Sequence, residues 1–336
     1  MQDQQEVIAF LSRADSYGEA DGCVERIETH GSLVFLHAGR AYKLKRAVAY
    51  AALDYLSLKR RERACRAELC LNRRTAAQLY LEVRSIRRAA DGRLHFDGDG
   101  TVLDWVVVMR RFPQEALFEH LAKAGRLDPG LMDELGAEIA RFHAGAEITP
   151  AFGGPLAIRQ VVAENRQELG RYPELLDGGT LEALHRATLE SLEALAGTLD
   201  RRRRQGRVRR CHGDLRLANI CLFDGRPTLF DGIEFSERLN CIDVLHDLAF
   251  LLMDLRHHGL ADLATRLLRS YLAHGTEPED CRPLPLFLSL RAATRCFTLA
   301  GSARRQRDPA QAADKARQAM ALLHQAGAYL RGDGLP

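Results

Sequence analysis

The chain has 336 residues, of which 46% are hydrophobic and 28% are charged, an ordinary composition for a globular protein large enough to form two lobes with separate cores. Its 48 basic and 45 acidic side chains leave a formal charge of +3, which is too balanced to indicate nucleic-acid binding. Because there is no long apolar run, no signal-peptide pattern in the first six residues and no Cys-x-x-Cys among eight scattered cysteines, we expect a cytoplasmic protein without membrane span, disulfide frame or zinc site.

The N-terminal third has the pattern of a small β-rich region. An amphipathic helix is predicted at residues 4–14, and strands are predicted at residues 23–27, 32–37, 41–48, 81–87 and 101–110. Lys43 and Lys45 share one face of their strand because side chains alternate along it. Pro113 ends the last strand, and the boundary between two lobes is predicted there, giving residues 1–112 and 113–336.

A long helix is predicted at residues 56–78, between the strands. Its inward stripe, at helical spacing, comprises Cys65, Leu69, Asn72 and Ala76. Glu62 and Glu68 flank this stripe on opposite sides, each offset by roughly 60°. Either glutamate could face the core region, and either could instead form a surface pair with a neighbouring arginine.

The rest of the chain is predicted to be mainly helical. Helices are expected at residues 116–124, 131–144, 158–169, 181–200, 243–254 and 286–299, with helical structure continuing to about residue 330. An arginine-rich run at residues 201–210 is expected to be a solvated helix end, and a basic site for a partner is the alternative.

Residues 211–219, Cys-His-Gly-Asp-Leu-Arg-Leu-Ala-Asn, are the most informative stretch. Asp214, Asn219 five residues later and Asp231 twelve residues after that have the order and spacing of a kinase catalytic loop and its metal aspartate. A hairpin with Asp224-Gly225 at its turn is predicted between Asn219 and Asp231, which would bring both to one end. The alternative is that Asp214 caps a helix and Asp231 occupies a turn.

This stretch, together with Phe230-Asp-Gly-Ile-Glu-Phe235 and Asp243-Val-Leu-His-Asp247, resembles the aminoglycoside phosphotransferase family of small-molecule kinases. The resemblance runs from about Gly31 to Leu255. It implies an α+β, bilobal protein-kinase-like fold with a small β-rich N-lobe and a larger helical C-lobe. The Tyr-Lys-Leu-Lys strand and Cys-x-x-Glu-Leu helix resemble a bacterial branch often fused to a P-loop domain. No Gly-x-x-x-x-Gly-Lys-Ser/Thr occurs here, so we expect only the kinase-like part.

The resemblance implies a role for each motif residue. Asp214 would be the base that takes the proton of the acceptor hydroxyl, and Asn219 and Asp231 would bind Mg²⁺. His212 belongs to the same loop. Asp247 would orient that loop, although an ordinary carboxylate at a helix N-terminus is the alternative.

The resemblance also implies a nucleotide site in the N-lobe. Ala41-Tyr42-Lys43 resembles the kinase Ala-x-Lys and favours Lys43 as the phosphate-binding lysine, whereas hairpin length equally allows Lys45. Glu68 is chosen as its partner because its helix pattern matches the family. The backbone from Met109 to Arg111 is the expected adenine site. ATP is expected as the donor. Because no Gly-x-Gly-x-x-Gly occurs in the sequence, another nucleoside triphosphate is left open as the alternative.

We therefore predict a kinase that phosphorylates a hydroxyl of a small metabolite. A catalytically silent protein that binds nucleotide or a partner is one alternative. A protein or toxin-type kinase is another, although no Ala-Pro-Glu segment follows Asp231. Residues 281–307 contain six arginines and no acidic residue, so a neutral or anionic acceptor is expected, with Arg291 or Arg295 as its anchor. These arginines could equally form a solvated face or pair with Asp243, Asp247 or Asp254.

Overall fold

The computed structural model describes residues 4–19, 22–50, 53–275 and 280–335. The chain forms two compact units, one made of Met1–His120 with Asn219–Glu237 and the other of Leu121–Ala218 with Arg238–Pro336. The predicted lobe boundary after residue 112 stays a prediction. Residues 1–3, on which the expectation of no signal peptide partly rests, lie outside the described residues. Within the described ranges, no helix is both long and apolar enough to cross a membrane.

The N-terminal part of the first unit contains the strands β1 (Glu25–Glu28), β2 (Ser32–His37), β3 (Arg40–Lys45), β4 (Ala49–Tyr50), β5 (Leu53–Asp54), β6 (Tyr80–Arg88), β7 (Leu94–Phe96) and β8 (Thr101–Arg110). Six of them form an antiparallel sheet, the framework of this unit, in the order β1-β2-β3-β8-β6-β7. Strands β4 and β5 form a separate pair. The short β7 was not predicted, because it lies in a segment rich in turn residues.

The two faces of this sheet bury different side chains because β3 alternates. Tyr42 and Leu44 pack with helix α1 (Gln5–Leu11) in an apolar core on one face. Lys43 and Lys45 therefore point to the opposite face. There the apolar contacts come from helix α2 (Leu58–Ala76) and the central strands.

Helix α2 begins close to the predicted place, with the Ser57 hydroxyl accepting the Arg60 N–H at 3.3 Å. Of the predicted inward stripe, Cys65, Asn72 and Ala76 are buried and Leu69 is half-buried. Glu68, expected at the edge of the stripe, is completely buried. A buried carboxylate requires charged partners, and it has them on β3.

A two-stranded hairpin, β10 (Ile220–Phe223) and β11 (Arg226–Leu229), belongs to the first unit although the long segment Leu121–Ala218 of the second unit precedes it in the chain. The Thr75 hydroxyl of α2 donates to the Leu229 carbonyl at 2.8 Å, and Cys221 packs in the core beneath α2. The hairpin is thereby attached to the helix that carries Glu68.

The second unit is mainly helical around one buried helix. Its elements are α4 (Pro129–Gly145), α5 (Gly154–Leu169), α6 (Gly178–Arg204), β9 (Val208–Arg210), α7 (Glu237–Asn240), β12 (Cys241–Asp243), α8 (Val244–His257), α9 (Ala261–His274), α10 (Leu284–Arg305) and α11 (Pro309–Leu330), while α3 (Phe118–Lys123) leads in from the first unit. Every residue of α8 from Val244 to Leu255 is buried, as expected for a helix surrounded by others.

The arginine-rich run is not simply a solvated helix end. Arg202, near the end of α6, is 1% exposed and forms two hydrogen bonds of 2.7 and 2.8 Å to Asp243. Arg209 donates to backbone carbonyl groups, including that of His143 at 2.9 Å. The expectation of a fully solvated run is therefore wrong, because several of its guanidinium groups hold the second unit together.

Candidate active site

The hairpin places the two predicted magnesium ligands at one end. Asp224 and Gly225 form its turn with φ angles of 49° and 76°, the left-handed conformation that suits the twist of paired strands. At the other end, the Phe230 N–H donates to the Asn219 carbonyl at 3.0 Å. Asn219 and Asp231 thus lie side by side where the hairpin opens.

The backbone of Asp231 is held in an uncommon conformation, with a φ of 60°. Its N–H donates to the Tyr80 hydroxyl at 3.1 Å, and the next N–H, of Gly232, donates to the Asn72 side chain at 2.8 Å. These two bonds come from β6 and α2. They determine the direction in which the Asp231 carboxylate leaves the chain.

The buried carboxylate of Glu68 lies between the two lysines of β3. Lys43 Nζ is 2.8 Å from Glu68 Oε1 and also contacts Asp231. Lys45 Nζ contacts the second oxygen, Glu68 Oε2, and the carboxylate of Glu234. The five side chains form one network in which acidic and basic groups alternate, all within the first unit.

The two lysines differ in their surroundings. Lys45 is 2% exposed and lies 5.2 Å from the centre of the Tyr55 ring, whose hydroxyl donates to Glu234 at 2.6 Å. Lys43 is 11% exposed and contacts Asp231, whose side chain is 43% exposed. Lys45 is therefore enclosed, whereas Lys43 lies beside a carboxylate that solvent reaches.

Electrostatics keeps this network ionised. Burial by itself would raise the pKa of Glu68, but the charges of Lys43 and Lys45 lower that pKa to about 2. Burial would likewise lower the pKa of Lys43, and the charges of Asp231 and Glu68 raise it above its usual value. Each buried charge is thus compensated by a neighbour of opposite sign.

Contact with Glu68 does not distinguish the two lysines, so Lys43 as the phosphate-binding lysine stays a prediction. Glu68 contacts both Lys43 and Lys45, because two lysines on one strand face can each take one carboxylate oxygen. Glu62 forms the surface pair, 3.0 Å from Arg66.

The predicted adenine site lies at the end of β8. Met109 is opposite Ala41 in the sheet, and the Arg111 N–H donates to the Gly39 carbonyl at 2.9 Å. The Arg111 amide is therefore already used within the sheet. The role of Met109 and Arg111 in binding adenine stays a prediction, one in which Arg111 would act through its carbonyl group.

The loop that contains Asp214 belongs to the second unit and is held by helix α8. Asp247 accepts hydrogen bonds from the His212 N–H at 3.0 Å and the Gly213 N–H at 2.8 Å, and lies 3.1 Å from His143 Nε2. Burial would raise the pKa of Asp247, but the bond and charge of His143 help lower it to about 2. Gly213 has a φ of 86°, which explains a glycine at this position.

Asp214 itself is paired with a side chain two residues along. Arg216 Nε and Nη2 lie 2.8 and 3.0 Å from the two carboxylate oxygens, a bidentate arrangement. The Leu217 N–H donates to Asp254 at 3.0 Å, so α8 holds both sides of the loop.

Sequence reasoning did not assign Arg216, Asp254, Glu234, Tyr55 or Tyr80 to the site. Arg216 and Glu234 lie inside the quoted motifs, and their spacing from Asp214 and Asp231 was the available signal. Nothing in the local pattern marked the other three.

The predicted acceptor arginines lie on α10 in the second unit. Arg291 is 8% exposed, and its Nε donates to the His246 carbonyl at 3.0 Å. In the part of the chain that the structure describes, Arg291 forms no ion pair, so the alternative of pairing with Asp243, Asp247 or Asp254 does not apply to it. Arg295 is half-buried, one turn further along.

Comparison with known proteins relates the sequence to a protein family. The model of the phosphotransferase enzyme family matches residues 39–284. An uncharacterized protein of Mycobacterium tuberculosis and one of Mycobacterium bovis are each 30% identical over 272 residues, covering 80% of this chain and 53% of the relative. The chain thus spans about half the length of the curated relatives it matches.

Solved structures share the fold at low sequence identity. A choline/ethanolamine kinase family protein from Mesorhizobium loti is 16% identical, with a TM-score of 0.55 and 98% of both chains covered. A thermostable mutant of an aminoglycoside phosphotransferase is 15% identical, with a TM-score of 0.55 and coverage of 94% of this chain and 98% of its own. A Plasmodium vivax ethanolamine kinase is 11% identical, with a TM-score of 0.54 and coverage of 92% and 82%.

Proposed function

Since the chain belongs to the phosphotransferase enzyme family, we propose that it transfers the γ-phosphoryl group of a nucleoside triphosphate, ATP by preference, to a hydroxyl of a small molecule. The observation that supports this most directly is the position of Lys43 between Glu68 and Asp231. A phosphate-binding cation and a metal-binding carboxylate are the two groups that phosphoryl transfer requires beside the β- and γ-phosphates.

The donor set fits magnesium. Asn219 and Asp231 offer an amide and a carboxylate oxygen at the same end of the hairpin, and Mg²⁺ prefers oxygen ligands supplied by one or two side chains together with phosphates and water. Bound Mg²⁺ would neutralise charge on the phosphates. Lys43 would contact the same phosphates once it is shared between Glu68 and the nucleotide.

Asp214 takes the role of the base in this proposal. The acceptor oxygen forms a bond to the γ-phosphorus, the bond from that phosphorus to the β–γ bridging oxygen breaks, and the nucleoside diphosphate leaves. The hydroxyl proton passes to the Asp214 carboxylate. Arg216, which pairs with both oxygens of Asp214, holds that carboxylate in one orientation.

Diphosphate formation across a panel of hydroxyl metabolites tests the proposal. We expect the native protein to turn over at least one of them, and Asp214→Asn to lower the rate by about 10²–10⁴ while keeping nucleotide affinity. Asp224→Asn is the matched control, since Asp224 lies in the exposed hairpin turn and asparagine tolerates its left-handed conformation. Equal rates for the two variants would exclude Asp214 as the base.

One observation favours a second candidate, a silent kinase-like protein that binds nucleotide. The turn between β1 and β2 is short, closed by the Thr29 N–H bonding to the Ser32 carbonyl at 2.9 Å, and contains the single glycine Gly31. Such a turn offers few amide groups to a phosphate chain. Magnesium-dependent nucleotide binding without turnover of any acceptor would support this candidate.

A further inference from the structure

Two arginine side chains flank one aromatic ring in the second unit. The guanidinium carbon of Arg216 lies 5.5 Å from the centre of the Phe250 ring, and that of Arg291 lies 4.7 Å from the same centre. Cations at this distance are attracted to the ring's negative faces. The ring therefore holds both cations near Asp214, to which Arg216 is bound.

Among the described residues, only one of the two cations has a carboxylate partner. Arg216 is paired with Asp214, whereas Arg291 forms no ion pair within the described ranges. Its Nε donates to the His246 carbonyl, and its Nη2 is buried without a hydrogen-bond partner in that part of the chain. A buried charged donor without an acceptor destabilises a fold unless something compensates for it.

The two neighbouring acidic groups do not pair with Arg291. Asp247 and Asp214 both interact with Arg291 through their charge, but the oxygens of Asp247 already accept the His212 and Gly213 N–H groups and contact His143, and Asp214 is paired with Arg216. Burial lowers the pKa of Arg291, although a guanidinium remains protonated at any physiological pH. Among the described residues near Asp214, the cation Arg291 therefore has no carboxylate paired with it.

We propose that Arg291, assisted by Arg216, binds an anionic group of the acceptor, so that the substrate is a small hydroxyl compound bearing a phosphate or a carboxylate. The proposal rests on the proposed kinase function and specifies its substrate class. The anion would supply the acceptor that Nη2 lacks. The hydroxyl of the same molecule would face Asp214. Arg216, which is paired with Asp214, would also contact the anion.

The chemistry stays that of the proposed reaction. The acceptor hydroxyl loses its proton to Asp214, its oxygen forms the new bond to phosphorus, and the nucleoside diphosphate departs. The anionic group of the acceptor undergoes no bond change. Its binding holds the hydroxyl in place, which lowers the entropic part of the barrier.

A binding experiment tests the site without requiring turnover. Inorganic phosphate, a sugar phosphate and a hydroxycarboxylate are titrated separately into the native protein, Arg291→Met and Arg291→Lys. Each titration is run with saturating Mg²⁺ and a non-hydrolysable ATP analogue, and again without the analogue. We expect native protein to bind at least one anion, Arg291→Met to lose affinity roughly 10- to 100-fold, and Arg291→Lys to lose less. Comparing the phosphate and carboxylate arms identifies which anion is preferred.

Arg304→Met is the matched control. Arg304 lies on the same helix, and its guanidinium carbon is also 4.7 Å from an aromatic ring, that of Tyr172, but it is exposed. Unchanged anion affinity is expected in this variant. Thermal unfolding of each variant shows whether it is folded, and Arg291→Lys keeps the test valid if Arg291→Met is not.

Two results would overturn the proposal. One is equal anion affinity in native, Arg291→Met and Arg291→Lys proteins. The other is anion binding that the ATP analogue abolishes, because the arginines would then belong to the donor phosphates. Either result leaves the proposed kinase function standing, since turnover of a neutral acceptor that depends on Asp214 would still establish it.

Discussion

Lys43 and Lys45 lie two residues apart on β3, and their partners give them different tasks. Lys43 joins Glu68 to Asp231, and Lys45 joins Glu68 to Glu234. Lys43 therefore contacts a predicted magnesium ligand, Asp231, whose side chain is exposed. Lys45 is enclosed, so we infer that Lys45 holds the loop after β11 against the sheet while Lys43 contacts phosphate.

Substitution of each lysine by methionine separates these tasks. Lys43→Met is expected to weaken binding of a magnesium–ATP analogue roughly 10- to 100-fold, since a charged hydrogen bond contributes about 1.5–3 kcal/mol. Lys45→Met is expected to lower the free energy of unfolding by about 3–5 kcal/mol, because it leaves buried Glu234 without its cation. Equilibrium binding and urea unfolding measure the two effects. The assignment is wrong if Lys45→Met reduces affinity while Lys43→Met does not.

His246 is a buried residue whose substitution has a pH-dependent consequence. Its ring stacks on Phe287 with centres 4.9 Å apart, and neither ring nitrogen has a hydrogen-bond partner among the residues that the structure describes. Burial and the charge of Arg291 lower the pKa of His246 far below its usual value, although Asp247 opposes this. The folded state therefore binds its proton less readily than the unfolded chain.

Stability should consequently decrease as the pH falls below about 6.5, the usual histidine pKa. Over the next pH unit or two the contribution of His246 is about 1.4 kcal/mol per unit. His246→Phe keeps the stacking and removes the titrating group. Urea unfolding at pH 7.5, 6 and 5 should show that the free energy of unfolding depends less steeply on pH in the variant. Burial also lowers the pKa of His185 and that of His257, but these two groups titrate equally in both proteins. Parallel pH profiles would contradict this reading of His246.

Helices α6 and α8 are joined by one buried ion pair. Arg202 in the last turn of α6 binds Asp243, which also caps α8 by accepting the Leu245 N–H at 2.9 Å. The pair ties the arginine-rich run to the helix that supports the Asp214 loop. Its position explains why a sequence stretch that looks like a solvated surface contains a fully buried side chain.

Arg202→Met is expected to destabilise the fold by about 3–5 kcal/mol, because Asp243 would remain buried without its cation. Arg204→Met is the matched control: its side chain is 67% exposed and lies 3.5 Å from Asp200, so a loss under about 1 kcal/mol is expected. Chemical denaturation measures both. Similar losses in the two variants would show that the buried pair contributes no more than an exposed one.

At the scale of the whole molecule, acid stability depends on carboxylates that are buried and ionised. The pKa of Asp247 and that of Glu68 are each lowered to about 2, although burial opposes this in both cases. Because each carboxylate binds a proton less readily when folded, its contribution is complete above the unfolded pKa of about 4 and is lost as the pH falls toward 2.

Asp247→Asn should remove one of these contributions. The variant is expected to be less stable at pH 7, by about 2 kcal/mol or more, and to approach the native protein as the pH falls from about 4 to 2. Thermal unfolding at pH 7, 4 and 3 measures the difference. A gap that stays constant over this range would mean that the ionisation of Asp247 is not what stabilises the loop.

Much of the architecture follows from local pattern. The bounds of β2 and β8 are the predicted ones, and the hairpin turns at Asp224-Gly225 as expected. Helix α2 occupies the predicted segment within two residues at each end. Periodicity and turn chemistry act over a few residues, so the sequence alone determined these elements together with the motif that identifies the family.

Only the tertiary structure shows which charged side chains pair with one another. Alternation placed Lys43 and Lys45 on one face, but nothing local could indicate that Asp231 and Glu234 would meet them from nearly 190 positions away. The same applies to Arg291, whose charge was visible in the sequence and whose burial without a carboxylate partner in the described chain was not. Charges are paired by proximity in the folded chain, and for residues far apart in the sequence the local pattern does not indicate that proximity. The sequence by itself therefore determined which groups are available, and the fold decided which of them are paired.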